Sequence, residues 1–162
     1  MKVEAYCLGV LYRKPELLYR VDRKLQEFGL SPITGEDFEY TDHQMLFHTI
    51  RSAVEQDEND PHNYVVTRLP DTLEGLSTDL LAKTEKLDRM DERLLEELLG
   101  RFIDLRRVEA QAKVSQLRFM QEEEQVQGGV NLKQYQEQVI RFTRLLQSLD
   151  QAKRKLSLKR QA

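Results

Sequence analysis

Few residues in this chain are of types that do chemistry, and their spacing argues against it. The histidines are His43, His48 and His62, and the only cysteine is Cys7. His43 and His48 are five apart, so they do not share a helix face as a metal-binding i, i+4 pair would. No second thiol is present to complete a zinc site or an internal disulfide. His48 lies beside Phe47 and Ile50 and reads as a boundary residue. Cys7 sits at helical spacing from Leu8 and Leu11 and reads as a small core residue. The acid pairs Asp91/Glu92 and Glu96/Glu97 fall on a solvated helix face, where nothing would shift them into a general-acid role. No Walker loop, G-x-S-x-G or G-x-G-x-x-G occurs. Gly128–Gly129 has no preceding strand, which argues against a phosphate cradle. The expectation is a segment without catalytic residues, metal or cofactor.

The elements that position these residues are helical throughout. A third of the 162 residues are charged, Gly and Pro number only 7 and 4, and Trp is absent. That composition favours helix. No apolar run approaches the ~20 residues of a membrane span, and the N-terminus lacks a signal peptide's apolar region. A cytoplasmic protein is expected. Charge is uneven: residues 128–162 hold eight Lys/Arg and two acids, a net of +6, and the other 127 residues carry 17 against 26, a net of −9. A basic tail on an acidic body fits an acidic partner, weak nucleic-acid contact or a solvated helix end.

In "EAYCLGVLYRKPELL" an apolar helix meets Pro15. Proline is tolerated at the first position of a helix, so the pattern predicts one helix over roughly 3–13 and a second over roughly 15–28, stopped by Gly29. Gly9 allows close helix approach. Thr41 with Gln44 reads as a capping box opening a third helix over roughly 42–56. Asp60–Pro61 opens a fourth over roughly 61–68. Asp71 with Glu74 opens a fifth over roughly 72–87. From Met90 a run without proline reads as one helix of roughly 37 residues, about 55 Å long, broken at Gly128–Gly129. The last helix, opened by Asn131 and Gln134, places Leu132, Tyr135, Val139, Phe142, Leu146 and Leu149 at alternating steps of three and four, a coiled-coil-like seam. So short a connection folds it back on the long helix, where Ala112, Leu117, Phe119 and Met120 are expected to receive it. The predicted fold is all-α: a compact helical bundle (1–89), a long connecting helix (90–127), and a C-terminal antiparallel helical hairpin (112–162). Leu145, Leu156 and Leu158 lie off or beyond the seam, as a contact surface would require.

Glu4-x-x-x-Leu8-Gly9-x-Leu11-x-x-x-Pro15-Glu16-Leu17, then Glu36-Asp37-Phe38, then His43-x-x-Leu46-Phe47-x-x-Ile50, resembles the helicase-interaction fold. That fold is shared by the C-terminal domain of bacterial DnaG-type primases and the N-terminal domain of DnaB-type replicative helicases. The long helix "LLGRFIDLRRVEAQ", the Gly-Gly turn and the heptad-like last helix are similar to the primase version. "QDENDPHNYVVTRLPDTLEG" does not clearly supply the Thr-Leu segment and linker of the helicase version, which stays the alternative. A structural helical protein dimerising through its last two helices is a third reading.

The primase resemblance implies a protein-interaction domain in the cytoplasmic, nucleoid-associated replisome. It would bind the replicative helicase hexamer and couple primer synthesis to the fork. Direct nucleic-acid contact through Lys153, Arg154, Lys155, Lys159 and Arg160 is the secondary expectation, because no aromatic residues are interleaved there and the body is acidic, and a monomer is expected over a homodimer. It implies zinc-binding and polymerase domains before this segment in a parent DNA primase, a nucleotidyltransferase making RNA primers, so that Met1 would mark a boundary. The contact region it implies is the hairpin, Met120 to Leu158. Within that region, exposure on the last helix singles out Arg141, Leu145, Leu149, Lys153, Arg154 and Leu156 as helicase-binding residues. Leu149 belongs also to the seam, so its reading as hairpin core stands beside the other.

Overall fold

A computed structural model of the chain describes residues 2–87 and 90–161. The expected boundaries at Met1, Arg89 and Ala162 lie outside the described residues. The fold is all-α, with α1 (Val3–Arg13), α2 (Leu17–Glu27), α3 (Thr41–Glu55), α4 (Pro61–Arg68), α5 (Glu74–Lys83), α6 (Asp91–Gln127) and α7 (Leu132–Gln161). Short 3-10 turns occupy Gly35–Asp37 and Asp71–Leu73. Among the described residues there is no strand, and no helix is long and apolar enough to cross a membrane. The chain divides into two compact units, residues 1–102 and 103–162.

In the first unit, Pro15 lies two residues ahead of α2 rather than at its first position. Lys14, the residue before it, leaves the helical region (φ −133°, ψ 71°), from which the proline ring excludes its predecessor. The Leu17 and Leu18 amides donate to the carbonyls of Lys14 and Pro15, forming a tight corner. Gly29 ends α2 at φ 74°. The Leu30 amide bonds back to Leu25 O and the Gly29 amide to Gln26 O, a Schellman stop that only glycine enters without strain. Thr41 is already helical and caps nothing. Gln44 instead donates to Phe38 O, and the reciprocal capping box forms earlier, between Thr34 and Asp37. Asp60 caps α4 as expected, accepting from the Asn63 amide.

The core of this unit gathers Leu8, Leu11, Leu17, Leu18, Leu25, Phe38, Phe47, Ile50 and Phe102, each at most 1 % exposed. Phe38 centres an aromatic cluster, 5.0 Å from the Phe47 ring and edge-on to Phe102 at 6.1 Å. Leu94, Leu95, Leu98 and Leu99 are buried as well, which is why the unit takes in the first turns of α6. α1 packs closely on α5 at Gly9, where an added Cβ would stand 2.7 Å from the Thr84 methyl.

Buried charges tie the loops down. Glu4 accepts from the Glu39 amide at 3.0 Å and lies 2.5 Å from His43 Nδ1. Asp22 accepts from the Ile33 amide and from Arg51, and Arg51 also donates to Ile33 O.

The second unit is the end of α6 and all of α7. α6 stops at Gly128 (φ 67°), with the Gly129 amide on Glu124 O, the same stop that closes α2. The two helices run antiparallel: Asp104 meets Lys153 at 2.7 Å and Arg107 meets Asp150 at 2.9 Å. Thus residue numbers rise on one helix as they fall on the other.

Candidate docking surface

The hairpin's inner face follows the expected seam on α7. Leu132, Tyr135, Val139, Phe142 and Leu146 are half-buried and Leu149 is fully buried. On α6 the receiving residues are Ala110, Val114 and Leu117, all buried, with Met120 half-buried. Ala112 and Phe119 do not take part: both are exposed, Phe119 at 60 %. The buried residues 103, 110, 114 and 117 keep a three-four rhythm that fixes the face. Residues 112 and 119 fall on the opposite side of that cylinder.

The six residues singled out on α7 separate into three groups. Arg141, Leu145 and Arg154 are exposed, as expected. Leu149 and Leu156 are not: they are 0 % and 3 % exposed. The expected exposure of these two is corrected, because their side chains are already covered within the chain, and for Leu149 the burial matches its other reading as hairpin core. Lys153 is half-buried, its ammonium donating to Asp104. It ties α7 to α6, and its removal disturbs the hairpin as well as any contact.

Two grooves mark this unit. One, of about 340 Å³, lies between the helices near their connection and is floored by Leu117, Met120 and Phe142, with Arg141 at its edge. The other, of about 530 Å³, is lined by Arg107, Asp150, Lys153, Arg154 and Leu158. Arg107 Nε stands within ion-pair distance of Asp150 but out of line for a hydrogen bond, so the pairing is electrostatic. Arg141 thus belongs to one groove, Lys153 and Arg154 to the other, and Leu145 to neither. Sequence reasoning missed the two interhelical ion pairs. Their signal was present as opposite charges at 104/153 and 107/150, positions that face each other once the turn fixes the register.

Candidate chemistry in the first unit resolves into structure. Burial pushes the Cys7 thiol from its ordinary 9.0 up to about 12, so it stays a protonated core side chain. Burial, then a hydrogen bond to Glu97, likewise raises the Tyr6 phenol, while Arg101 stacks on its ring at 4.2 Å. His43 is buried on Glu4, His48 packs over Gly35, and His62 Nδ1 lies 3.1 Å from Tyr12 O. Among the described residues no three His, Cys, Asp or Glu side chains converge as a metal site would need. No family model, curated protein or solved structure matches this chain.

Proposed function

We propose that this chain is a protein-docking segment of a DnaG-type primase, that it acts in the cytoplasm, and that its α7 arm binds a DnaB-type replicative helicase hexamer. The observation that carries the reading is the division of labour between the units. The resembling positions Glu4, Leu8, Leu11, Leu17, Phe38, Leu46, Phe47 and Ile50 are spent on the core of the first unit. The hairpin offers Arg141 and Arg154 to solvent, each at one of two grooves, and Leu145 exposed on the same helix outside both. Arginine is among the residues enriched at protein interfaces and among their anchors, and Leu145 adds apolar area beside Arg141. On this reading the segment contributes binding rather than catalysis and needs no cofactor.

Titration calorimetry of the full chain against a DnaB-type hexamer tests it. Binding is expected, and Leu145→Ala or Arg141→Ala should weaken it about tenfold, the loss of one interface anchor, with helicity unchanged. Absence of heat with the hexamer, or wild-type affinity in both variants, overturns the reading. A second reading, association of two copies through the hairpin, draws on Val108, Phe119 and Val126, which are 67 %, 60 % and 88 % exposed on α6. Light scattering at micromolar concentration decides it, since a monomer removes it.

A further inference from the structure

Of the eight cations of α7, one forms an interhelical ion pair and five line an exposed stripe. Lys153 is engaged with Asp104, and across the same interface Arg107 of α6 is engaged with Asp150. Lys133, Arg141, Arg144, Lys155 and Lys159 are exposed, and among the described residues none of the five forms an ion pair. Their spacings of 8, 3, 11 and 4 are sums of helical three- and four-residue steps, so they share one stripe. From 133 to 159 that stripe runs about 39 Å at 1.5 Å per residue. The positions between them on it include Ser148 and Gln151, and the one acid is Glu137. Residues 103–162 as a whole carry 12 Lys/Arg against 7 Asp/Glu, a net of +5.

We infer that this stripe is a binding track for the phosphodiester backbone of nucleic acid, occupied without regard to base sequence. Like charges held in line on one rigid helix repel one another, and a polyanion relieves that repulsion while releasing its own counterions. The array is linear rather than a compact patch. It has no Tyr, Phe or Trp to serve as the buried anchor of a protein interface or as a platform for base stacking. Arginine and lysine with interspersed hydroxyl and amide side chains are the groups that contact phosphate. The inference is independent of helicase docking, because it rests on cations that the docking reading does not use, Arg141 excepted.

Fluorescence anisotropy of the full chain with a mixed-sequence 20-mer, single-stranded and duplex, tests it between 50 and 200 mM KCl. Scrambled sequences should bind alike at 50 mM. Log affinity for duplex should fall against log salt with a slope of about −4 to −5, as about five neutralised phosphates require. The triple variant Arg144→Gln, Lys155→Gln, Lys159→Gln leaves Arg141 intact. It should bind at least tenfold more weakly at 50 mM and flatten the duplex slope by about three. Neutralising Arg23 and Lys86 of the first unit in the same way should change neither. Circular dichroism should show full helicity in each variant, since Gln is a good helix former. No binding at 50 mM KCl, or a triple variant that binds like the parent, overturns the inference. So does polyglutamate that displaces the duplex at equal charge concentration, which would assign the stripe to acidic proteins.

Discussion

The first unit and the hairpin are built from the same residue types, yet they spend their polar groups in opposite ways. All the buried polar side chains of the described residues, Glu4, Asp22, His43, Ser77 and Thr84, belong to the first unit. Glu4, Asp22 and Thr84 each fix a loop or a neighbouring helix: Thr84, for example, receives Arg13 Nε and donates to Leu80 O. In the hairpin the charges stay at the edges of a single apolar seam, and several large apolar side chains are left in solvent. A buried polar network specifies one arrangement because each broken bond strands a desolvated group. An amphipathic seam holds two helices together but leaves most of each surface uncommitted. The contrast separates a unit that keeps its shape from one whose surface is available for binding.

The largest expected effect sharpens that contrast through two phenylalanines. Phe38 is 1 % exposed and touches two other rings, so Phe38→Ala should destabilise the first unit by about 3–5 kcal/mol in urea unfolding. Phe142 is only half-buried, and Phe142→Ala should cost about half as much, since cost scales with the apolar area lost from burial. Equal losses would mean that the hairpin has a core as closed as the first unit's.

A pH titration reaches the same difference from another side. Cys7 holds its proton in the folded unit to about pH 12, against 9.0 ordinarily, because burial disfavours the thiolate. The unfolded chain releases that proton first. The stability is therefore fully present below pH 9 and is lost as pH rises toward 12, by on the order of 4 kcal/mol at the top of that window. The raised Tyr6 phenol acts in the same direction. Denaturation midpoints measured from pH 8 to 11 should fall, and Cys7→Ala should fall less steeply. A midpoint flat across that range would show that the thiol is not sealed in.

Next in size is Glu4→Ala. It leaves the Glu39 amide and His43 without their acceptor and should cost about 1–3 kcal/mol, the penalty for a stranded buried group. Hydrogen exchange at residues 39–43 should accelerate while the amides of α7 stay protected. Acceleration in both units would mean that they do not open separately.

How far the sequence made this visible depends on whether a feature is local. Gly29 and Gly128 were readable as stops because the left-handed conformation and its back-bonds need only six neighbouring residues. The span of α6 was readable because nothing in it interrupts helix, and Asp60 because capping is settled within three residues. Tertiary competition was not readable. Thr41 was displaced as a cap because α3 begins one residue sooner and Gln44 turns to Phe38 O. Heptad spacing marked Leu149 as seam, but nothing local marked Leu156 as buried. Its exposure depends on what covers that turn of α7. Among the candidate contact residues, Arg141, Leu145 and Arg154 were legible as exposed, whereas the pairing of Lys153 with Asp104 required the hairpin register.

That ion pair gives the smallest effect and the finest test of the contrast. Lys153 and Asp104 are each about a third to a half exposed, so solvent screens them, and their coupling should be about 0.2–1 kcal/mol. A double-mutant cycle with Lys153→Ala and Asp104→Ala isolates the term, provided that neither variant introduces a new contact. Raising salt from 0.1 to 1 M should remove most of it, because the Debye length shrinks to about 3 Å. Arg51 with Asp22 in the first unit is the control, with side chains 20 % and 12 % exposed, Asp22 accepting from the Ile33 amide and Arg51 donating to the Ile33 carbonyl. Its coupling should be larger and should persist in salt, since burial limits screening. If the hairpin pair proved the stronger and the more salt-resistant, the division between a closed first unit and an open arm would be reversed at the level of single interactions.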